Sequence, residues 1–232
     1  MDFSLSEEQR MLQETVGKFV ADRYSLDQRK AYMAQSAGHD HAVAGELVDL
    51  GLTLVQIPEE QGGLGGDAFD AMVVGEALGP GLVLEPVMDV MTAVSALSGG
   101  RDDILEDGNS HTLGLYERGQ RYSLNPAITS VEGGKVSGTK TLVPHTAGTT
   151  HALVSAKENG QVGLYRVALS DAAVTVFNYP LQDGRPFADL QLDGAEAEKV
   201  DGISMAEIEA AVARMTIAEC SVAVGAMQAA LD

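Results

Sequence analysis

The hydrophobic period of this 232-residue chain changes twice, so helical and strand regions must segregate along it. Over residues 4–98 the apolar positions recur at helical spacing. Leu12, Val16, Phe19 and Val20 predict a first helix, with Ser4 and Glu7 placed to cap its start. Residues 42–50 predict a second, closed by Gly51, and residues 67–78 a third, ending at Gly79-Pro80. Residues 86–97 predict a fourth, ending at Gly99-Gly100. Over residues 111–200 short runs of Val, Thr and Ile alternate between Gly, Asn and Asp. Residues 128–131 and 136–143 flank Glu132-Gly133-Gly134-Lys135, and residues 152–156 and 162–169 flank Glu158-Asn159-Gly160-Gln161; both patterns predict hairpins. Residues 174–177 and 188–192 predict further strands, and the set suggests a β-barrel or sandwich. Residues 205–232 return to the helical period and are apolar on more than one face, as a helix buried among others would be.

The charge and the termini bound the function. A formal net charge of -19 repels nucleic acid and anionic membrane, whose recognition needs clustered Lys and Arg. Cys220 is the single cysteine, so no internal disulfide can form, which suits a reducing compartment. It sits in an apolar helical run, where a small core residue is expected. The acidic start, Met1-Asp2-Phe3, has no basic or apolar leader character, and no apolar run reaches the roughly 18 residues of a membrane span. These features predict a cytoplasmic protein without a membrane span.

Three ordered segments carry a resemblance. The opening Asp2-Phe3-Ser4-Leu5-Ser6-Glu7-Glu8-Gln9 is the first. Leu50-Gly51-Leu52 with Ile57-Pro58-Glu59-Glu60-Gln61-Gly62-Gly63-Leu64-Gly65-Gly66 is the second, and Val74-Gly75-Glu76-Ala77-Leu78-Gly79 the third. In order and spacing they are similar to segments of the acyl-CoA dehydrogenase family. Gly138-Thr139-Lys140-Thr141, the strand at residues 152–157 and the helix at residues 214–232 resemble that family too. The resemblance implies an α+β multi-domain fold: an N-terminal helical domain (residues 1–110), a middle β-barrel-like domain (111–203) and the start of a C-terminal helical bundle (204–232). It also implies an oxidoreductase of lipid metabolism, acting in fatty acid or steroid side-chain β-oxidation. Such an enzyme removes the α-proton of an acyl-CoA thioester with a glutamate and passes a hydride from the β-carbon to FAD, with electron-transfer flavoprotein or a similar acceptor as partner. A homo- or hetero-oligomer is implied as well.

Residue by residue, the resemblance places the flavin at two segments. The first is Tyr116-Glu117-Arg118-Gly119-Gln120-Arg121-Tyr122-Ser123, where only Glu117 and Gly119 match the family pattern. The second is Lys140-Thr141-Leu142-Val143-Pro144, where the family's Trp is Leu142 and its Thr is Pro144. The implied flavin-binding positions are therefore Leu115, Tyr116, Tyr122, Ser123, Leu142 and Pro144, with main-chain groups of Leu115 and Tyr116 able to serve the ring. The catalytic base is expected beyond residue 232. The family's alternative position for it falls at about Met215, beside Arg214, and Glu219 one turn on would need a pocket to aim it. The substituted positions also fit a non-catalytic subunit paired with an intact family member, or a scaffold built on the fold.

Other motifs carry less. The glycines of residues 62–66 fit neither dinucleotide nor phosphate-loop patterns and predict a helix-joining loop. His39 and His41 have no third partner at metal-ligand spacing. His111, His145 and His151 predict surface or loop positions, His145 being the one next to the second flavin segment.

Overall fold

A computed structural model describes residues 4–89, 94, 97, 111–144 and 149–232. The first helix, α1 (Glu7–Arg23), is capped by Ser6, two residues later than expected. Ser6 Oγ accepts from the Gln9 amide at 3.1 Å, and Ser6 N donates to Gln9 Oε1 at 3.0 Å. Both Ser4–Glu7 and Ser6–Gln9 satisfy the capping spacing, and the second stands directly before the apolar run. Helix α2 (Leu26–Met33) escaped the sequence reading. It opens with a reciprocal cap from Ser25 and Gln28, but it buries no residue fully, so no apolar stripe marks it. Helix α3 (His41–Asp49) follows Asp40 and leads into Gly51, which takes φ 74°. Helix α4 (Ala68–Leu78) runs from the Asp67 cap into a tight turn at Gly79–Gly81. Of the helix expected over residues 86–97, α5 (Val87–Asp89) and positions 94 and 97 are described; its Gly99-Gly100 stop and His145 lie outside the described residues.

Among the described residues eight strands form one hydrogen-bonded sheet: β1 (His111–Gly114), β2 (Ser130–Glu132), β3 (Lys135–Pro144), β4 (His151–Glu158), β5 (Gln161–Ala168), β6 (Val174–Pro180), β7 (Pro186–Glu196) and β8 (Glu198–Val200). Their order is β6-β7-β3-β2-β4-β5-β8, with β1 alongside β4. Both expected hairpins are present, and Gly133-Gly134 and Asn159-Gly160 take the positive φ that two-residue turns of this kind require. Two pairings are parallel, β1 with β4 and β2 with β4. One core gathers Val136 of β3 and Leu190 of β7 with Val154 of β4 and Tyr165 of β5, two neighbouring pairs that β2 separates in the order, so the sheet wraps around it. His111 departs from its expected surface position. It is buried in β1 and stacks on His151, its register partner in β4, because a parallel pair sets those rings side by side.

The C-terminal helix (Met205–Leu231) joins the two regions. Ile208 and Ala211 pack with Leu113, Leu153 and Leu164 of the sheet, whereas Ala218 belongs to the helical core of Val16, Val20, Val43, Leu47 and Val74. It crosses α4 with backbones nearly touching. A Cβ added at Gly75 would overlap Ser221, and one added at Gly225 would overlap the Glu76 carbonyl. Such a crossing tolerates only small residues. By length and composition this helix is sufficient to cross a membrane, which corrects the expectation drawn from apolar runs; here one of its faces is packed into the protein. Ile217, Cys220, Val224, Met227 and Leu231 point away from that face. Cys220 is thus exposed and not the core residue expected, because the buried stripe runs through Ala218, Ser221 and Gly225 instead.

Candidate functional site

The β3 strand sets the site by breaking its own alternation. Val136 and Lys140 point inward, and between Lys140 and Val143 the register with β7 slips by a bulge. Val143 then takes the inward place, and Leu142 is turned out at φ 53°, a left-handed conformation that a bulky residue adopts only when held. Its amide is held: it donates to Tyr179 Oη at 3.2 Å. Tyr179 in turn donates to Asp189 Oδ1 at 2.9 Å, as does Thr141 Oγ1 at 2.6 Å.

Beneath the bulge lies a charge with no exposure at all. Lys140 Nζ sits 3.3 Å from Glu117 Oε1, 3.1 Å from Ser155 Oγ and 3.5 Å from the Leu115 carbonyl. Glu117 also accepts the amides of Ala127, Ile128 and Thr129 at 2.7, 2.9 and 3.0 Å. Burial alone would raise the Glu117 carboxyl, but these bonds and the Lys140 charge hold it down to about 2. Burial lowers Lys140 to about 8, against the pull of Glu117. The pair ties the two expected flavin segments together from below, since one partner comes from each.

Above the pair a cavity of about 250 Å³ opens between the sheet and the C-terminal helix. Leu115, Tyr116, Leu142 and Pro144 line it, so the structure brings four of the six expected positions into one place. It does not bring Tyr122 or Ser123 there; both are exposed on the turn that precedes residue 124. The opposite wall is Met215 and Glu219, and the end wall is the β6–β7 connection with Leu181, Arg185 and Phe187. Glu219 therefore does have a pocket beside it. Both its oxygens are engaged by Arg185 Nη1, at 3.1 and 3.2 Å, while Arg185 Nε bonds Asp183 at 2.7 Å. The end wall is docked onto the helical region through Arg29, whose Nη2 donates to the Asp183 carbonyl at 2.6 Å.

The polar handles of the expected flavin positions are mostly engaged. The Leu115 carbonyl accepts from Lys140 and Ser155, and the Tyr116 carbonyl accepts the Thr141 amide at 2.9 Å. Pro144 has no amide hydrogen, and its carbonyl accepts from Thr112 Oγ1. The cavity thus offers apolar walls and one ion pair. Its volume lies below the roughly 300–1,000 Å³ of whole-ligand sites. Sequence reasoning missed Arg185, Phe187 and Asp189, which stand on β7 or its approach with no motif around them.

A sequence model described as "Acyl-CoA dehydrogenase, N-terminal domain" matches residues 6–108. Two curated proteins named acyl-CoA dehydrogenase IpdE2 are similar. The one from Mycolicibacterium smegmatis is 38% identical over 105 residues, covering 44% of this chain and 34% of its own length. The one from Mycobacterium tuberculosis is 31% identical over 137 residues, covering 57% and 43%. Over residues 6–108 the chain matches the N-terminal domain of the acyl-CoA dehydrogenase family. The matched segments span less than half the length of these curated family members.

Among solved structures, the Tcur3481-Tcur3483 steroid ACAD superimposes at a TM-score of 0.86 with 24% identity, over 98% of this chain and 65% of that one. The ChsE4-ChsE5 complex from Mycobacterium tuberculosis gives 0.78 and 21%, over 100% and 66%. These likenesses establish the shared fold of helices and sheet.

The remaining candidates separate from the cavity. The Gly62–Gly66 glycines form the expected loop, folded back so that the Gly63, Leu64, Gly65 and Gly66 amides reach carbonyls of Pro58, Leu54, Ile57 and Val55. His39 and His41 meet edge to face at 5.1 Å, and His39 Nδ1 lies 3.2 Å from the Ala37 carbonyl.

Proposed function

We propose that this chain is a subunit of an acyl-CoA dehydrogenase-type flavoprotein that oxidises an acyl-CoA thioester between its α and β carbons. The observation that carries the reading is the convergence of Leu115, Tyr116, Leu142 and Pro144 on one apolar cavity closed by the C-terminal helix. FAD supplies the hydride acceptor when bound. The chain's own residues supply the walls: Leu113, Leu115 and Leu142 on one side and Met215 on the other exclude water, which strengthens any polar contact made inside. The buried Lys140–Glu117 pair fixes the two segments that shape those walls. No residue of this chain is assigned as the base, since Glu219 is held by Arg185. The test is the absorption spectrum of the purified chain, with and without FAD, after gel filtration. Flavin bands that elute with the protein support the reading, and a colourless protein that ignores FAD counts against ring retention by these residues.

A second reading has its own support: the engaged carbonyls of Leu115 and Tyr116, the Leu142 amide bound to Tyr179, and Pro144 leave few partners for a flavin edge. On this reading the chain is the non-catalytic member of a hetero-oligomer, with a flavin-competent family member as partner. Co-purification with such a chain supports it, and a flavin-loaded homo-oligomer refutes it.

A further inference from the structure

The β6–β7 connection that ends the cavity is held from outside by α2. Arg29 Nη2 donates to the Asp183 carbonyl at 2.6 Å and Nε to the Leu82 carbonyl at 2.8 Å, so one guanidinium bridges the connection to the turn that follows α4. The Met33 side chain covers Gly184, which is buried at φ 86°, and leaves no room there for a Cβ. Past the end of α2, Gly38 lies against Pro186, whose ring would stand 3.0 Å from an added Cβ. Leu181 N donates to the Arg185 carbonyl at 2.9 Å and Gly184 N to the Leu181 carbonyl at 3.0 Å, so residues 181–185 form a tight strap. On its far side Arg185 engages Glu219 of the C-terminal helix. The strap therefore lies between α2 and that helix, and Leu181 and Arg185 make it a wall of the cavity. The outer support is weak. Helix α2 has eight residues, none of them fully buried, and an isolated helix shorter than roughly 12–15 residues is marginal in water. Beyond Tyr32, which packs edge to face on Tyr24, it stands on the Ser25–Gln28 cap and on the Arg29 and Met33 contacts. A segment with so few buried apolar contacts opens at the low end of the free-energy scale, well before the core does.

We propose that α2 clamps the cavity: Arg29 is the positioning residue that holds the end wall, and local unfolding of α2 frees residues 181–185 and opens the cavity beside Glu219. When α2 unfolds, Arg29 and Met33 leave the strap together, because they stand one turn apart on the same helix. The strap then keeps its contacts with Gly38 and with Glu219, and the second of these is partly exposed and correspondingly weak. The coupling runs both ways: a molecule that fills the cavity and braces Leu181 and Phe187 slows the opening of α2. The inference deepens the proposed function, on which it rests for the cavity's being a ligand site, by naming what governs entry and release there.

Hydrogen–deuterium exchange of the 232-residue chain, without any ligand, reads the clamp through Ser25→Ala. Ser25 caps α2 and touches neither the strap nor the cavity, so its replacement reaches them only by way of that helix. Loss of the cap should raise exchange about fivefold in residues 26–33 and by a similar factor in residues 181–187, with β4 and β5 unchanged. In Arg29→Met the strap should exchange faster from the start, and adding Ser25→Ala should then speed α2 alone. Oxidation of Met215 by dilute hydrogen peroxide, scored against the exposed Met227, should quicken with strap exchange, since Met215 lies on the opposite wall. Strap exchange unchanged in Ser25→Ala, or raised just as much by it in the Arg29→Met background, overturns the clamp. So does faster exchange throughout β4 and β5, which is a global loss of stability. Met215 oxidation that stays constant while strap exchange rises overturns the opening. None of these readings needs flavin, so a chain that ignores FAD counts against the proposed function and leaves the clamp to stand or fall on exchange and oxidation.

Discussion

Replacing either member of the buried Lys140–Glu117 pair should destabilise the protein, but not equally. In Lys140→Met, Glu117 keeps three backbone amides at 2.7–3.0 Å, so its charge remains solvated by the protein. The loss is the ion pair with Glu117 and the hydrogen bonds from Nζ to Ser155 Oγ and the Leu115 carbonyl, about 2–3 kcal/mol. In Glu117→Gln, an ammonium with no exposure loses its counter-ion, and three amides that met a carboxylate now share one neutral oxygen. Breaking a buried pair from this side costs about 3–5 kcal/mol. The acid titration gives a second scale. A Glu117 carboxyl lowered from 4.5 to about 2 contributes about 3 kcal/mol, at about 1.4 kcal/mol for each tenfold change in proton affinity. Its folded value is depressed, so that stability is fully present above pH 4.5 and is lost as pH falls toward 2. Urea unfolding followed by circular dichroism at pH 7 should rank wild type above Lys140→Met above Glu117→Gln. The gap between wild type and Glu117→Gln should shrink as pH falls below 4.5. A Lys140→Met variant at least as unstable as Glu117→Gln, or a gap that is constant with pH, would refute the account.

Four further substitutions have expected outcomes. Gly225→Val pushes a side chain into the Glu76 carbonyl and should cost about 3 kcal/mol in urea unfolding, whereas Gly17→Ala, with no atom in reach, should stabilise α1 by about 0.5–1 kcal/mol. Burial raises the Glu85 carboxyl above its ordinary value although Tyr24 donates to it, so Glu85 opposes folding increasingly as pH rises from its unfolded value through its folded one. Glu85→Gln should therefore raise the thermal midpoint at pH 7 and leave it nearly unchanged at pH 4. Arg185→Met breaks two half-exposed ion pairs and should cost about 1 kcal/mol or less, while opening the end wall and changing the off-rate of any flavin that binds.

The elements that buried an apolar stripe were legible in the sequence. Val16 and Val20 of α1, the glycine turns of both hairpins and the span of α4 up to Gly79-Pro80 each follow from period or turn chemistry. Helix α2 was not legible, because its amphipathic signal is nearly absent and its stability comes from the Ser25 cap and Arg29 contacts. The cavity lined by Leu115, Tyr116, Leu142 and Pro144 was legible only through the resemblance at residues 116–123 and 140–144. Tyr122 and Ser123, named by the same resemblance, lie apart from that cavity, on a turn that faces solvent. Lys140 did leave a trace: it falls on the inward parity of Val136, and a lysine at an inward position demands a partner. Leu142 left none, since the bulge that turns it outward depends on pairing with a strand 46 residues further on, where Ala188 meets Val143. Arg185 and Glu219 meet only in three dimensions, 34 residues apart.

The glycine crossing has a consequence for synthesis. Ala218 is part of the core that α1, α3 and α4 share, so the first helices to leave the ribosome lack a wall until the last helix arrives. At about 5–20 residues per second, the 140 residues between Leu78 and Ala218 take about 7–28 s to make. During that interval Gly75 and Gly79 present bare backbone where a helix is to lie, and the half-made chain depends on its own net negative charge, or on a chaperone, to stay apart from its neighbours. Nascent chains stalled before residue 205 should accordingly be cut by protease within α4, and chains in which residues 205–231 have emerged should be protected there.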